Sequence, residues 1–284
     1  MEAIKADDLS IEYFNSGFCL ENINLSIKEG EIVLLTGKSG SGKSTLLYCL
    51  SGVIPHSINT KKYHGAVYIN GQEITKLLLT EITKNSGIVL QNPTSQIFGM
   101  TVEEDMAFGL ENLGVERNEI RKRVTEALRF TNLERYRKAD PLSLSGGQIQ
   151  RVVLGSMLVM EPNILFLDEP TSNLDPRGTK EVLTILKKLK DKKKTIILVD
   201  RKAEHIVPFV DRIIGLQDGK VIADSEPRKF FLNRDIVTRL GVSPPQVVRL
   251  AYRLIEDELN IDLPLSPEEF YDIHARYVKD NGGV

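Results

Sequence analysis

The feature that most constrains this chain is a glycine-rich stretch, "GKSGSGKST", at residues 37–45. It fits the pattern G-x-x-x-x-G-K-[ST], follows the apolar run "EIVLLT" and opens a helical pattern, "TLLYCLSGV". In that context the backbone N–H groups of the loop and of the helix start bind phosphates. We expect Lys43 to reach the β- and γ-phosphates of a nucleotide and the Ser44 hydroxyl to bind Mg²⁺. The candidate nucleotide contacts are Gly37, Lys38, Ser39, Gly40, Ser41, Gly42, Lys43, Ser44 and Thr45.

Two adjacent carboxylates, Asp168 and Glu169, end a second apolar run in "NILFLDEP". Ligands of open α/β sheets bind at the carboxyl ends of the strands, where such residues emerge. Next to a phosphate loop, Asp168 is expected to bind the metal, directly or through water. Glu169 is expected to polarise the attacking water as a general base. Taken alone, an Asp-Glu pair after a strand is more often a helix cap, so its catalytic interpretation depends on the phosphate loop.

The order of apolar runs predicts the fold class. Strand-like and helix-like stretches alternate, which favours an α/β fold with a mainly parallel sheet and helices on its faces. "AVYING" indicates a hairpin strand with Asn70-Gly71 as its turn. Residues 102–160 have a mostly helical pattern, and short helices interrupted at Pro244-Pro245 follow the last strands. We therefore expect one domain at residues 1–225 and a small helical extension at 226–284.

Composition excludes several classes of protein. The 284 residues carry a formal net charge of −2, so no overall basic field attracts nucleic acid. The N-terminal stretch lacks the apolar core of a signal peptide, and apolar runs of about five residues are far shorter than the roughly 20 that span a bilayer. Cys19 and Cys49 are too few for a disulfide framework and indicate reduced thiols. We expect a soluble chain, and we interpret the basic run at residues 187–194 as a solvated helix end rather than a nucleic-acid or lipid patch.

A second anion-binding helix start lies at "LSGGQIQRV". One ATP already has its phosphate loop, so this second cradle needs another explanation. In their order, the phosphate loop, "LSGGQ", "LFLDEP" and "SNLD" resemble the ATP-binding cassette (ABC) ATPases over roughly residues 1–225. The resemblance implies a P-loop NTPase fold with an antiparallel β subdomain and a helical subdomain at about 92–160. It also implies a head-to-tail dimer, in which four residues bind the ATP on the partner's phosphate loop: Ser145, Gly146, Gly147 and Gln148.

The resemblance assigns roles to three more residues by position. Gln91 in "LQNP" matches the glutamine that contacts Mg²⁺ and the attacking water and reports to the membrane subunit, although a polar strand cap is the alternative. Asp175 in "SNLDP" matches the loop that links the two nucleotide sites. Tyr13 in "LSIEYF" matches the aromatic residue that stacks on adenine. Its alternation with Leu9 and Ile11 along a strand also fits a packed core tyrosine.

Finer features resemble the energy-coupling-factor (ECF) branch of ABC importers. They are "LQNPTSQIFGMTVEEDMAFGLENLG" and, near the end, "GVSPPQVVRLAYRL". The resemblance implies an ATP-hydrolysing subunit on the cytoplasmic face of the cell membrane. Its partners would be a second ABC ATPase, a membrane coupling protein and a membrane subunit that captures a vitamin or a transition-metal ion. Nucleic acid is not an expected partner, and the helical extension is a candidate dimerisation segment.

The segment after Gln91 is the expected docking groove for a membrane subunit. Three apolar residues are expected to line it: Phe98, Met106 and Phe108. Three acidic residues are candidates to meet basic residues of the coupling protein: Glu103, Glu104 and Asp105. Negative charge that complements the N-terminal end of a helix explains the same three residues equally well.

The residue after "TIILVD" departs from the ABC pattern. ABC ATPases carry a histidine there that contacts the γ-phosphate, ten positions before the Asp of an Asp-Arg pair. Here Asp211-Arg212 is present, but the position ten before Asp211 holds Arg201, and we expect His205 to be too far away to replace the histidine. Arg201, a candidate catalytic residue, only donates hydrogen bonds, so it either clamps γ-phosphate oxygens or leaves the contact unmade. We therefore predict a heterodimer with a paralogue and two nucleotide sites that hydrolyse ATP at unequal rates. The site built on Lys43 should be the slower one.

Two other functions compete with transport. One is a soluble ABC ATPase that acts on DNA or ribosomes, and the other is a regulatory cassette with little turnover. The DNA-repair type separates its phosphate loop from "LSGGQ" by a long coiled coil, whereas only 102 positions separate Lys43 from Ser145, with no heptad run between them. The ribosome type carries two cassettes in one chain, and this sequence contains one. Both observations favour a transporter ATPase.

Overall fold

The computed structural model describes residues 1–14, 17–172, 174–200, 203–256 and 262–280. Its strands are β1 (Glu2–Tyr13), β2 (Gly17–Lys28), β3 (Ile32–Thr36), β4 (Lys62–Ile69), β5 (Gln72–Glu73), β6 (Ser86–Val89), β7 (Ile164–Asp168), β8 (Thr195–Val199), β9 (Arg212–Gln217) and β10 (Lys220–Ser225). Its α-helices are α1 (Lys43–Leu50), α2 (Val53–His56), α3 (Leu79–Asn85), α4 (Val102–Asn112), α5 (Arg117–Phe130), α6 (Gly146–Leu158), α7 (Pro176–Asp191), α8 (Pro227–Leu232), α9 (Arg234–Leu240), α10 (Gln246–Glu256) and α11 (Pro267–Asp280).

The larger sheet has the strand order β10-β9-β3-β8-β7-β6. Its pairs are parallel except for β9 with β10. Every residue of β3, β7 and β8 is buried, as expected of parallel strands that are covered on both faces. The mainly parallel sheet predicted from the alternating elements is therefore confirmed. At its carboxyl edge, Thr36, Asp168 and Val199 end three neighbouring strands.

The smaller sheet is antiparallel, with the order β2-β1-β4-β5. Asn70 (φ 50°) and Gly71 (φ 78°) form the turn between β4 and β5. A two-residue hairpin turn with positive φ at both positions is the type that suits the twist of the flanking strands, and the predicted turn is confirmed. This sheet and one face of the larger sheet enclose α1, because their buried apolar residues form one cluster with those of the helix.

Helices α4, α5 and α6 form a separate helical layer with its own apolar cluster, which includes Met106 and Leu128. Arg151 of α6 connects this layer to its surroundings. One of its Nη atoms donates to Thr131 O at 2.9 Å and to Asn132 O at 3.1 Å. The other lies 3.0 Å from Glu181 Oε2 in α7. The start of α6, which carries the "LSGGQ" residues, is thereby held against the larger sheet's helices.

Helices α8, α9 and α10 pack on the larger sheet rather than standing apart from it. Phe230, Phe231 and Val248 belong to the same buried cluster as residues of β7 and β8. A boundary at residue 225 and a dimerisation role for this extension therefore stay predictions. Among the described residues, none of the helices combines the length and apolar character that a membrane crossing requires.

Candidate active site

The phosphate loop connects β3 to α1 and passes very close to two other backbone segments. Gly37 has a φ of 140° and Gly42 a φ of 100°. A Cβ atom at Gly37 would lie 2.2 Å from Leu216 O, and one at Gly42 would lie 2.8 Å from Cys19 O. Only glycine satisfies both the positive φ and the close approach at these two positions. The conformation that turns the loop's N–H groups inward therefore depends on the neighbouring strands as well as on the motif.

Lys43 lies across the phosphate loop at the start of α1. Its Nζ donates to Lys38 O at 2.7 Å and to Ser41 Oγ at 3.4 Å, and the side chain is buried. Gly42 is the N-cap, so no side-chain oxygen of the N-cap occupies the first turn of α1. The N–H groups of a helix start have no intrahelical acceptors and carry the positive end of the helix dipole. The loop thus presents an ammonium group and backbone donors to the same small volume, which is what a phosphate requires.

Asp168, at the end of β7, contacts two side chains of α1. Ser44 Oγ donates to its Oδ1 at 3.2 Å, and Tyr48 Oη donates to its Oδ2 at 3.1 Å. Asp168 is 1% exposed, and this burial raises the pKa of its carboxyl, while the two hydrogen bonds oppose the rise. Burial, followed by the charge of Asp168, raises the pKa of Tyr48 to about 12, so its hydroxyl stays a donor near neutral pH. Ser44 and Asp168 are therefore adjacent, as expected for residues that share a metal ion.

Tyr48 is absent from the residues that the sequence motifs predicted. Tyr48 could have been predicted from its spacing, because it lies four residues after Ser44 in a helical pattern. Residues at i and i+4 share a face of a helix. A donor on the same face as a predicted metal ligand is a candidate for the same site.

Gln91 and Glu169 meet at the carboxyl edge of the larger sheet. Gln91 follows β6 and Glu169 follows β7, and these two strands are neighbours. Gln91 Nε2 donates to Glu169 Oε2 at 3.0 Å. Glu169 has a φ of 49°, in the left-handed region, and its N–H donates to Val199 O at 2.8 Å. The structure thus brings the predicted general base and the predicted water-contacting amide together, and both roles stay predictions.

Tyr13 is connected to the end of the phosphate loop. Its hydroxyl donates to Thr45 Oγ1 at 3.4 Å, and Cys19 Sγ lies 3.2 Å from the same oxygen. The half-buried ring packs against the cluster around α1, and burial raises the pKa of Tyr13. These contacts agree both with a tyrosine beside the nucleotide and with a packed core residue. Adenine stacking on Tyr13 therefore stays a prediction.

The "LSGGQ" residues lie in an open cleft beside the start of α7. Ser145 is the N-cap of α6, and its backbone N–H donates to Gln148 Oε1 at 2.8 Å. A Cβ atom at Gly147 would lie 3.0 Å from Gly178 Cα, and Asp175 Oδ1 accepts from Gly178 N at 2.6 Å. The cleft has a volume of about 420 Å³ and contains no phosphate-loop residue among the described residues that line it. Within one chain the two phosphate cradles are therefore separate.

A groove is present where the docking groove is predicted, but one of the three predicted residues does not line it. Phe98 is 69% exposed and Phe108 44% exposed, and their rings stack with centroids 5.2 Å apart. They line a groove of about 400 Å³. Met106 is 0% exposed and packs inside the helical layer, so the prediction that it lines the groove is wrong. Met100, which the sequence patterns did not single out, is strongly exposed just after Phe98.

The three acidic residues at the start of α4 bind groups of their own chain. Glu103 forms ion pairs with Arg137 and Lys138, which lower the pKa of its carboxyl. Glu104 Oε2 accepts from Thr101 N at 3.1 Å in a capping box. Asp105 is buried, so the prediction that it meets a partner's basic residue is wrong. The alternative, negative charge at a helix start, describes Glu103 and Glu104 better.

Arg201 lies outside the described residues, so its predicted contact with the γ-phosphate stays a prediction. The residue before it, Asp200, is buried and accepts from Thr171 Oγ1 at 2.6 Å. His205 is exposed at the end of a 3₁₀ turn, Ala203–His205. The predicted landmark Asp211 bonds to the start of β3, where its Oδ2 accepts from Ile32 N at 2.9 Å.

Known proteins are similar to this chain in sequence and in fold. The family described as "ABC transporter" matches residues 20–172. A Pyrococcus abyssi protein, named only as an ABC transporter ATP-binding protein, is 41% identical over 271 residues, which cover 95% of this chain and 96% of that one. The energy-coupling factor transporter ATP-binding protein EcfA1 of Ligilactobacillus salivarius is 37% identical over 283 residues, 98% of this chain and 97% of that one. The structure of cbiO1 from Clostridium perfringens, described as part of the ABC transporter complex cbiONQ, superposes with a TM-score of 0.74 and 29% identity over 89% of this chain and 99% of that one. Together with the phosphate loop and the Asp168-Glu169 pair, these similarities show that the chain belongs to the ABC transporter family, as an ATP-binding subunit that hydrolyses ATP.

Proposed function

We propose that this chain powers an ECF-type membrane importer of a vitamin or a transition-metal ion. The names of the L. salivarius and C. perfringens relatives support this branch, although the P. abyssi relative carries only the general family name. The observation that carries the proposal is the exposed pair Phe98 and Phe108, which follows Gln91 in sequence. A contiguous exposed aromatic patch is a typical protein-binding surface. We infer that it binds a helix of a membrane coupling protein, which places the chain at the cytoplasmic face of the membrane.

The oxygen donors of the site fit Mg²⁺, which accepts hard oxygen ligands in an octahedral arrangement. Ser44 Oγ and Asp168 Oδ1 lie 3.2 Å apart, so both oxygens would be available to one ion. No group of three or more His, Cys, Asp or Glu side chains within the described ranges could hold a metal alone, so nucleotide phosphates would complete the set. When bound, Mg²⁺ would neutralise charge on the β- and γ-phosphates.

The remaining chemistry belongs to side chains of this chain. Lys43 would hold the phosphates, and Glu169 would accept a proton from the attacking water while Gln91 orients it. Gln91 also begins the segment that leads to Phe98, so it connects the hydrolytic site to the docking groove. The separate "LSGGQ" cleft would serve the ATP of a second ABC ATPase, for which a paralogue is our preferred partner.

Co-purification tests the proposed function directly. When the chain is expressed in its native host and purified after detergent extraction, a membrane coupling protein should co-purify with it. Phe98→Asp should weaken this association by roughly fivefold or more, since an aromatic residue that anchors an interface typically contributes above 1 kcal/mol. The measurement is the recovered amount of coupling protein, quantified by mass spectrometry.

Tyr271→Asp is the matched control, because Tyr271 is an exposed aromatic residue of α11, remote in sequence from the groove. It should leave recovery unchanged. Recovery of the wild-type chain without any membrane protein, but with nucleic acid or ribosomes, would favour the soluble alternative instead.

A further inference from the structure

We propose that Tyr48 is a positioning residue for metal binding, whose hydroxyl holds the Asp168 carboxylate in the orientation that Mg²⁺ requires. The inference rests on the proposed role of Asp168 as a metal ligand. It adds a residue outside the phosphate loop and outside the Asp168-Glu169 pair to the set that determines metal affinity.

The two oxygens of Asp168 have different donors, and this division suggests different tasks. Oδ1 accepts from Ser44 Oγ at 3.2 Å, and Ser44 is the other predicted protein ligand of the metal. Oδ2 accepts from Tyr48 Oη at 3.1 Å. Coordination would use a lone pair of the Ser44 hydroxyl oxygen and would leave its O–H proton free to donate, so Ser44 Oγ and Asp168 Oδ1 would both face the ion. The bond from Tyr48 involves the opposite oxygen and is compatible with the ion.

The surroundings keep Tyr48 in place. Its ring packs against the buried cluster that α1 forms with the two sheets, and only part of the side chain reaches solvent. Lys43, Ser44 and Tyr48 all belong to α1, so one helix places the phosphate-binding ammonium, a metal ligand and the donor to Asp168. A carboxylate at the end of a strand can rotate about its χ2 torsion, which is broad. The Tyr48 hydroxyl restricts that rotation from the side opposite Ser44.

The expected change in metal affinity is based on the behaviour of other metal sites. Groups that orient a metal ligand by a hydrogen bond typically change metal affinity by about 10–100-fold when they are removed. Tyr48→Phe removes the hydroxyl and keeps the ring that fills the space beside α1. We therefore expect the variant to fold normally, to bind ATP without metal as the wild type does, and to need about tenfold more metal for the same occupancy.

The test is a metal titration on the full chain in the Glu169→Gln background, in which we expect turnover to be slow. Mn²⁺ serves as the probe, and its binding to the ATP-loaded chain is measured from the loss of the free-ion EPR signal. ATP affinity in EDTA is measured on the same samples. Tyr63→Phe is the matched control, because the Tyr63 hydroxyl is buried and has no hydrogen-bond partner within the described part of the chain.

Including Asp168→Asn distinguishes four outcomes. If Asp168→Asn and Tyr48→Phe both weaken Mn²⁺ binding while Tyr63→Phe and the affinity in EDTA are unchanged, the inference holds. If only Asp168→Asn weakens Mn²⁺ binding, the role of Tyr48 is refuted and the proposed site stands. If Asp168→Asn has no effect, the proposed metal site itself is wrong, and the role of Tyr48 fails with it. Equal loss of ATP affinity with and without metal in Tyr48→Phe would show a purely structural role and overturn the inference.

Discussion

At the scale of single residues, the candidate catalytic edge contains one glutamate in an uncommon backbone conformation. Glu169 has a φ of 49°, which costs a non-glycine residue of the order of 1 kcal/mol or more and concentrates at functional sites. This conformation lets its N–H bond to Val199 O while its carboxylate meets the amide of Gln91. Both contacts cross between strands, so the position of the carboxylate is determined by the sheet.

We predict that Glu169→Gln preserves ATP binding and slows hydrolysis by about 10²–10⁴-fold, the usual contribution of a general base. The amide oxygen of glutamine can still accept from Gln91 but cannot take the proton of water. Single-turnover hydrolysis and equilibrium ATP binding are the measurements. Glu161→Gln is the control, since Glu161 also has a positive φ (54°) but lies in the turn before β7. Normal turnover in Glu169→Gln would require a different base.

At the scale of elements, the start of α4 holds the segment that contains Phe98 and Gly99 through one buried carboxylate. Asp105 is 4% exposed. Its Oδ1 accepts from Phe98 N at 2.8 Å and Gly99 N at 3.1 Å, and its Oδ2 accepts from Ser156 Oγ at 2.6 Å. Asp105 therefore joins the segment after Gln91 to helices α4 and α6, and it determines where Phe98 is presented.

Asp105→Ala should lower the free energy of unfolding by about 2–4 kcal/mol, because it leaves partly buried N–H groups without an acceptor. Asp105→Asn should lower the free energy of unfolding by less, since its amide oxygen can still accept from both N–H groups. Urea denaturation monitored by circular dichroism measures the difference. Glu111→Ala, an exposed substitution in the same helix, should change stability by no more than about 0.5 kcal/mol. A loss in Asp105→Ala as small as in this control would contradict the assigned role.

At the scale of the whole molecule, the two candidate phosphate cradles of one chain are separate. The phosphate loop lies at the edge of the larger sheet, and the "LSGGQ" cleft lies beside α7. Ser145 and Gly146 are exposed in that cleft. The arrangement leaves the second cradle available to a nucleotide on another chain, in agreement with the head-to-tail dimer that the sequence motifs imply.

Gly146→Asp should therefore block ATP-dependent association without disturbing the chain's own ATP binding. A Cβ atom at Gly146 would have its nearest neighbour at 3.9 Å, so the side chain fits, but its charge would repel a partner's γ-phosphate. Association is measured by analytical ultracentrifugation with ATP in the Glu169→Gln background. If the second ATPase is a paralogue, it is included in the sample. Asn118→Asp adds the same charge at an exposed helix start of the same layer and should not affect it. Normal association of Gly146→Asp would contradict the dimer geometry.

The sequence by itself determined the features that depend on local chemistry. The phosphate loop, the Asn70-Gly71 turn and the buried strands could all be predicted, because each depends on residues within a few positions of one another. The pairing of Asp168 and Glu169 with the loop was predictable for a related reason, since parallel strands bring their carboxyl ends to one edge. The approximate site therefore followed from motif order alone.

Only the tertiary structure decided which side chains complete that site and which are exposed. Met106 and Phe108 are two positions apart in one helix, and packing against α5 and α6 buries the first and leaves the second half exposed. Tyr48 contacts a carboxylate 120 positions away, and nothing local to either residue specifies that contact. Asp105 resembled a surface charge in the sequence, yet it is buried because Ser156 and two backbone N–H groups satisfy it. Such outcomes depend on which distant segments meet, and that is determined by how the whole core packs.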